Sequence, residues 1–170
     1  GDNQIIGVSL IKEEDSENFF NSEKYEIGTA MKIYRVNQLD EYTVQIFAQG
    51  MQRFEKVKQA DSQGAERWTV KYHYPPEGKP DEELKAYTMS VISSVKELLN
   101  HNQIFQEQLK MIANQMTWEK PHQLMDMVAS VLTSSADKLQ DLLETFDLYK
   151  RAEKLLILLK EEIELSQLKD

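Results

Sequence analysis

The spacing of apolar residues changes once along this chain, at residues 75–80, Pro-Pro-Glu-Gly-Lys-Pro. Before that point apolar residues alternate with polar ones. After it they recur every three or four positions. A period of two belongs to strands and one near 3.6 to helices. Such a chain folds as α+β with the two classes segregated. The division predicted is a β-rich subdomain over residues 1–78 and a helical subdomain over 79–170.

Five strands are predicted in the first part, over 5–12, 27–36, 43–49, 53–59 and 68–74. In the second, Ala30, Lys32, Tyr34 and Val36 point one way and Met31, Ile33 and Arg35 the other. Val44, Ile46 and Ala48 share a face of the third, and Phe54 and Val57 mark the fourth. Trp68, Val70, Tyr72 and Tyr74 share a face of the last. Turn residues at 40–42 and 61–64 separate them. Short strands between turns read as a small antiparallel barrel or sandwich, and so few residues enclose only a thin core.

Helices are predicted over 81–100, 104–116, from Pro121 to about 132, after Ser135, and from Asp147 onward. Pro121 suits a first helical turn, and Asp147 is a good amino-cap. Leu148, Ala152, Leu155, Leu156, Leu159 and Ile163 form an apolar stripe. The amphipathic pattern is still running at Leu168, so the last helix is expected to continue in a longer protein.

Composition removes several functions. A net charge of −9 without a long basic run disfavours nucleic acid. With no cysteine there is no disulfide or thiolate metal site. The longest apolar run, 155–159, is flanked by Lys154 and Lys160 and is too short to cross a bilayer.

Motifs that carry chemistry are equally sparse. The only Gly-Lys pair, Gly78-Lys79, precedes Pro80 and has His73 where a phosphate-binding loop needs glycine. His73, His101 and His122 are isolated from one another. No serine sits in a Gly-x-Ser-x-Gly setting. Glu82-Glu83 and Glu161-Glu162 read as solvated helix faces. Of the seven methionines, Met111, Met116, Met125 and Met127 fall in the helical part and read as core filling ahead of an adaptable binding surface. Phe19, Phe20 and Trp118 lie in or beside expected loops, where a large apolar side chain packs locally or meets a partner. They are the candidate protein-binding residues; catalytic, metal and cofactor residues are not assigned.

Two segments carry a family pattern. Residues 25–57, YEIGTAMKIYRVNQLDEYTVQIFAQGMQRFEKV, place Gly28, Ala30, Ile33, Val44, Gly50 and Arg53 in order. Residues 139–169, LQDLLETFDLYKRAEKLLILLKEEIELSQLK, do the same with Gln140, Leu142, Leu143, Glu144, Arg151, Leu155, Leu159, Glu162, Glu164 and Leu165. Both resemble the amino-terminal domain of the Lon family of ATP-dependent proteases, as do MDMVAS at 125–130 and IIGVSLIKEEDS at 5–16. The chain departs from that pattern in lacking the opening strand and the helix after it, and in placing Ala152 where leucine is usual. The lost strand would leave a bare sheet edge.

The resemblance implies a PUA-like β-subdomain followed by a helical bundle with a long last helix. Gly28, Gly50, Arg53 and Arg151 become structural motif positions. Gly50 is expected to allow a bend or close approach, and Arg53 to reach an acidic or carbonyl partner. The resemblance also implies a non-catalytic part of a homohexameric serine protease that selects unfolded or damaged proteins. ATP, Mg and the Ser–Lys dyad belong to other segments, so no cofactor is expected here. The setting implied is bacterial cytoplasm or mitochondrial matrix. A stand-alone protein of the same fold is the alternative. A small unrelated enzyme would instead require a cleft with converging reactive groups.

Overall fold

Pro75 and Pro76 carry no backbone N–H, so a strand ladder cannot run through them. The computed structural model describes residues 4–12, 22–101 and 106–168. Its last strand closes at His73, and the chain divides into two compact units, Gly1–Tyr74 and Pro75–Asp170.

The first unit is an antiparallel sheet of β1 (Ile5–Val8), β2 (Ile27–Gln38), β3 (Val44–Ala60) and β4 (Arg67–His73), in that order. The turn between β2 and β3 closes through Leu39 N–H to the Thr43 carbonyl at 2.9 Å and Tyr42 N–H to Asp40 Oδ1 at 2.8 Å. The Tyr42 N–H, the larger cause, holds the Asp40 carboxyl below its ordinary range. Gly64 takes the left-handed backbone of the next turn, at φ +96°. After β1 the chain stays beside residues 23–25, with Tyr25 N–H to the Leu10 carbonyl at 2.9 Å and Lys12 N–H to the Glu23 carbonyl at 2.8 Å.

Five expected strands become four because 43–49 and 53–59 are one strand. Gly50 pairs with Met31 and Gln52 with Ala30, leaving Met51 as an extra residue. One extra residue inverts the alternation beyond it, which makes a continuous strand read as two. A second irregularity, at Tyr34, corrects the expected face of β2. Ile33 pairs with Ala48 and Arg35 with Phe47, so Val36 shares a face with Met31 and Ile33 instead of Ala30.

Glycine is required where Phe54 packs. A Cβ on Gly28 would lie 2.4 Å from the Val8 carbonyl oxygen and 2.7 Å from Phe54 Cζ; one on Gly7 would lie 3.1 Å from Cζ. At Gly50 the nearest atom would be Thr29 Cγ2 at 3.4 Å, an ordinary contact. The close approach therefore belongs to Gly28 and not to Gly50.

The second unit holds α1 (Glu82–His101), α2 (Gln106–Gln115), α3 (Pro121–Ala129), α4 (Ala136–Glu144) and α5 (Leu148–Leu168). Val91 and Val95 of α1 and Ala152, Leu155 and Leu159 of α5 are fully buried in one cluster with Leu124, Met125 and Val128 of α3. Pro121 opens α3. Asp147 Oδ1 accepts from the N–H groups of Tyr149 and Lys150 at 2.9 and 3.1 Å, capping α5. Asp81 caps α1 through Leu84 N–H at 2.8 Å, and its other oxygen accepts from the Tyr149 hydroxyl. Ser135 stands at the start of α4 without a side-chain capping bond. No helix among the described residues is long and apolar enough to cross a membrane.

Two buried charges tie the loops of this unit to α5. Arg151, 4 % exposed, donates from Nε to the Thr145 carbonyl at 2.8 Å, just past the end of α4, and stands 3.9 Å from Asp126. Glu162, expected on a solvated face, is 6 % exposed. It accepts from Thr133 N–H at 2.6 Å and from Thr133 Oγ1 at 2.7 and 2.9 Å. Burial without those partners would be costly, so the loop between α3 and α4 supplies what solvent would otherwise provide.

Trp68 and Trp118 give each unit its own fluorophore. In a Trp118→Phe background, Gly28→Ala should cost the sheet about 2 kcal/mol, as overpacking does, while Gly50→Ala should stay within about 0.5 kcal/mol; urea unfolding followed by Trp68 measures both. In a Trp68→Phe background, Glu162→Ala should cost about 2 kcal/mol by leaving the Thr133 N–H unpaired. Arg151→Met should cost about 3 kcal/mol, with Arg151→Lys recovering little because lysine lacks the planar fork.

Titration gives a further check. The Tyr149–Asp81 bond is the main cause holding the Asp81 carboxyl low and pushing the Tyr149 hydroxyl up to about 12. The tyrosine contribution is complete below the free-phenol pKa of about 10 and vanishes as pH rises through about 12. The aspartate contribution is complete above 3.8 and vanishes as pH falls through the depressed value. Absorbance at 295 nm should show one tyrosine ionising near 12 that returns to the ordinary range in Asp81→Asn.

Candidate protein-binding surface

Pairing in the sheet assigns every strand residue to one of two faces. One face carries Gly7, Gly28, Ala30, Phe54, Lys56, Trp68 and Tyr72. Phe54 is 3 % exposed there. A depression of about 390 Å³ opens beside it, lined in part by Lys24, Glu26, Lys56, Glu66 and Trp68. Its charged groups answer one another. Lys24 Nζ donates to Glu66 at 3.4 Å, the Trp68 indole N–H donates to Glu66, and Lys56 Nζ stands 5.2 Å from the Trp68 ring centre. The indole bond is the largest cause lowering the Glu66 pKa, and burial, chiefly, lowers that of Lys56. Among the described residues the lining holds no histidine and no serine other than Ser22, so these residues offer no paired nucleophile and base. Among the described residues, no three His, Asp or Glu side chains converge as a metal site would require.

The opposite face is different. Register places Ile6, Val8, Met31, Ile33, Val36, Val44, Ile46 and Ala48 together on it. Val36 is 54 % exposed, Ile46 49 %, and Val8 and Val44 46 % each. These side chains form an uncharged aliphatic strip. The ladder of β1 covers residues 29–32 of β2, and that of β4 covers residues 53–60 of β3. The Ile33 N–H is still held by the Gln4 carbonyl at 3.0 Å; residues 34–38 and 44–49 extend beyond it as a two-stranded ribbon with no third strand at either edge among the described residues. A ribbon of this kind is marginal alone in water, and its free edges can accept another extended chain. Among the described residues β1 is the outermost strand on its side.

The sequence-predicted residues fall as follows. Phe19 and Phe20 lie outside the described residues. Trp118 is half-buried in the turn after α2, with Lys85 Nζ 4.3 Å from its ring centre. Gly28, Gly50 and Arg53 are brought together in the sheet, Arg53 half-buried opposite Thr29 and His73. Arg151 is in the helical unit. Met125 fills core as expected, but Met111 is 64 % exposed. The aliphatic strip was missed as a site because alternation alone does not say which face is covered. The available signal was apolar residues on both parities of 31–36 and 44–48.

Comparison with known proteins adds family. Residues 1–161 match the model of the ATP-dependent protease La (LON) substrate-binding domain. The chain is 34 % identical over 171 residues to a Lon protease of Magnetococcus marinus, covering 98 % of this chain and 21 % of that one. It is 31 % identical over 165 residues to Lon protease 1 of Syntrophotalea carbinolica, covering 97 % and 20 %. It thus spans about a fifth of these relatives' length. The fold is similar to that of the N-terminal domain of a Mycobacterium avium complex Lon protease, with a TM-score of 0.66 at 18 % identity over 93 % of this chain and 90 % of that one. A Lon N-terminal domain protein from Xanthomonas campestris matches with a TM-score of 0.53 at 13 % identity, covering 91 % and 89 %.

Proposed function

Because this chain belongs to the Lon substrate-binding domain family, we propose that it holds unfolded or damaged polypeptides for a Lon-type ATP-dependent serine protease and performs no chemistry itself. The observation that carries this reading is the exposed aliphatic strip on β1, β2 and β3. Folded proteins seldom offer several consecutive aliphatic residues in extended form; unfolded ones do. A strip with free strand edges takes such a segment through apolar contact and backbone pairing together. A few half-exposed contacts give millimolar to micromolar affinity.

The reading includes a wider setting. Six such chains assembled in a ring would raise the effective affinity without a new contact. ATP and Mg would act in an ATPase module, and peptide-bond cleavage in a protease module, of the longer chain. The setting proposed is the bacterial cytoplasm. The relatives matched are Lon proteases of about five times this length, which supports the attached form over a stand-alone one.

Titration with α-lactalbumin separates the outcomes. Reduced, unfolded lactalbumin should bind in the micromolar to millimolar range, and the native protein should not. Equal binding of both forms, or of neither, would sink the recognition role.

A further inference from the structure

The aliphatic strip does not occupy its face alone. Lys58 pairs with Thr69 across the β3–β4 ladder, so its diagonal neighbours on that face are Arg67 and Lys71. All three are exposed. Diagonal neighbours lie about 7–8 Å apart, so three cations crowd one patch in a chain whose net charge is −9. The one carboxylate among the strand residues of that face, Glu55, lies opposite Lys71 and is engaged by His73 at 3.0 Å. From Ala48 to Lys58 is ten residues of β3, about 30 Å at strand rise. An extended segment of roughly ten residues would span both halves.

We propose that this face selects extended polypeptide segments in which aliphatic residues adjoin a short run of carboxylates. The proposal rests on the recognition role above and adds a specificity to it. Aliphatic side chains would lie on Val36, Val44 and Ile46, and carboxylates would meet Lys58, Arg67 and Lys71.

A second copy of the chain fits this face poorly. Paired with its own image in one direction, the face sets cations on cations; in the other, it sets cations on aliphatic side chains. Single-stranded nucleic acid would find phosphate partners in the three cations but no aromatic platform in the aliphatic half.

The test uses the chain with fluorescent twelve-residue peptides that share an aliphatic half and differ in the other: three Glu, three Gln or three Lys. The Glu peptide should bind about tenfold tighter than the Gln peptide at low ionic strength, as three exposed ion pairs would give. The difference should vanish near 0.5 M salt. Combined Lys58→Gln, Arg67→Gln and Lys71→Gln should erase the preference and leave the Gln peptide unaffected. Ile46→Gln should weaken every peptide, as should Val36→Gln at a second exposed site. Equal affinity for the three peptides, or a preference that survives the triple variant, overturns the proposal while binding of unfolded lactalbumin keeps the recognition role. So does a dimer in sedimentation equilibrium that Ile46→Gln dissociates. Loss of lactalbumin binding itself counts against the recognition role instead.

Discussion

The contact between Phe54 and the glycines facing it decides how the sheet is used. Among the described residues of its unit Phe54 is the one large ring fully covered, and it fits because Gly28 and Gly7 have no Cβ to meet it. Only Ile27, Ala30 and Phe54 are buried hydrophobics among the described residues of this unit, whereas the helical cluster has seventeen. Ala30 and Phe54 lie on the glycine face, and Ile27 is buried on the other face at the inner end of β2; so small a buried set leaves most of that second face uncovered. The other face stays apolar and open. The bulges then determine which side chains it presents. Were Met51 paired in a regular ladder opposite Met31, residues 44–50 would turn to the other side, and the aliphatic strip would no longer continue onto β1 and the inner part of β2.

The helical unit solves the opposite problem. Its apolar core is ample, and its charged groups are buried where helices end. Arg151 satisfies a carbonyl left over at the end of α4, and Glu162 satisfies an amide in the loop before it. Helix termini and loops leave such groups without partners, and a buried charge with good hydrogen bonds fixes them in one geometry. Most of the buried apolar core thus lies in the helical half, and the exposed aliphatic strip lies in the other.

Much of this was legible in the sequence. The period change at 75–80 located the break in fold class, and the helix starts at Pro121 and Asp147 followed from elementary capping chemistry. The β-bulges were not legible, because an inserted residue and the end of a strand both appear as a break in alternation; Gly50 was read as a bend or close approach after a strand. Glu162 was misplaced for a related reason. Glutamate at a helical position looks solvated unless its partner is known, and Thr133 is twenty-nine residues away. The cation cluster was hidden as well, since Lys58, Arg67 and Lys71 are scattered in sequence and meet only through the β3–β4 register.

A receptor for many different unfolded chains works under conflicting demands. Deep pockets would bind tightly but choose narrowly, and release would be slow because affinity is set mostly by off-rate. A shallow aliphatic strip avoids both, since apolar contact is nondirectional and backbone pairing ignores side-chain identity. It pays for this generality with weak discrimination between one apolar segment and the next. Charge restores some of that discrimination at little cost in release rate, because exposed ion pairs act largely on encounter and orientation. A cationic cluster beside an uncharged strip therefore adds a direction to a surface that would otherwise have none, without turning it into a pocket.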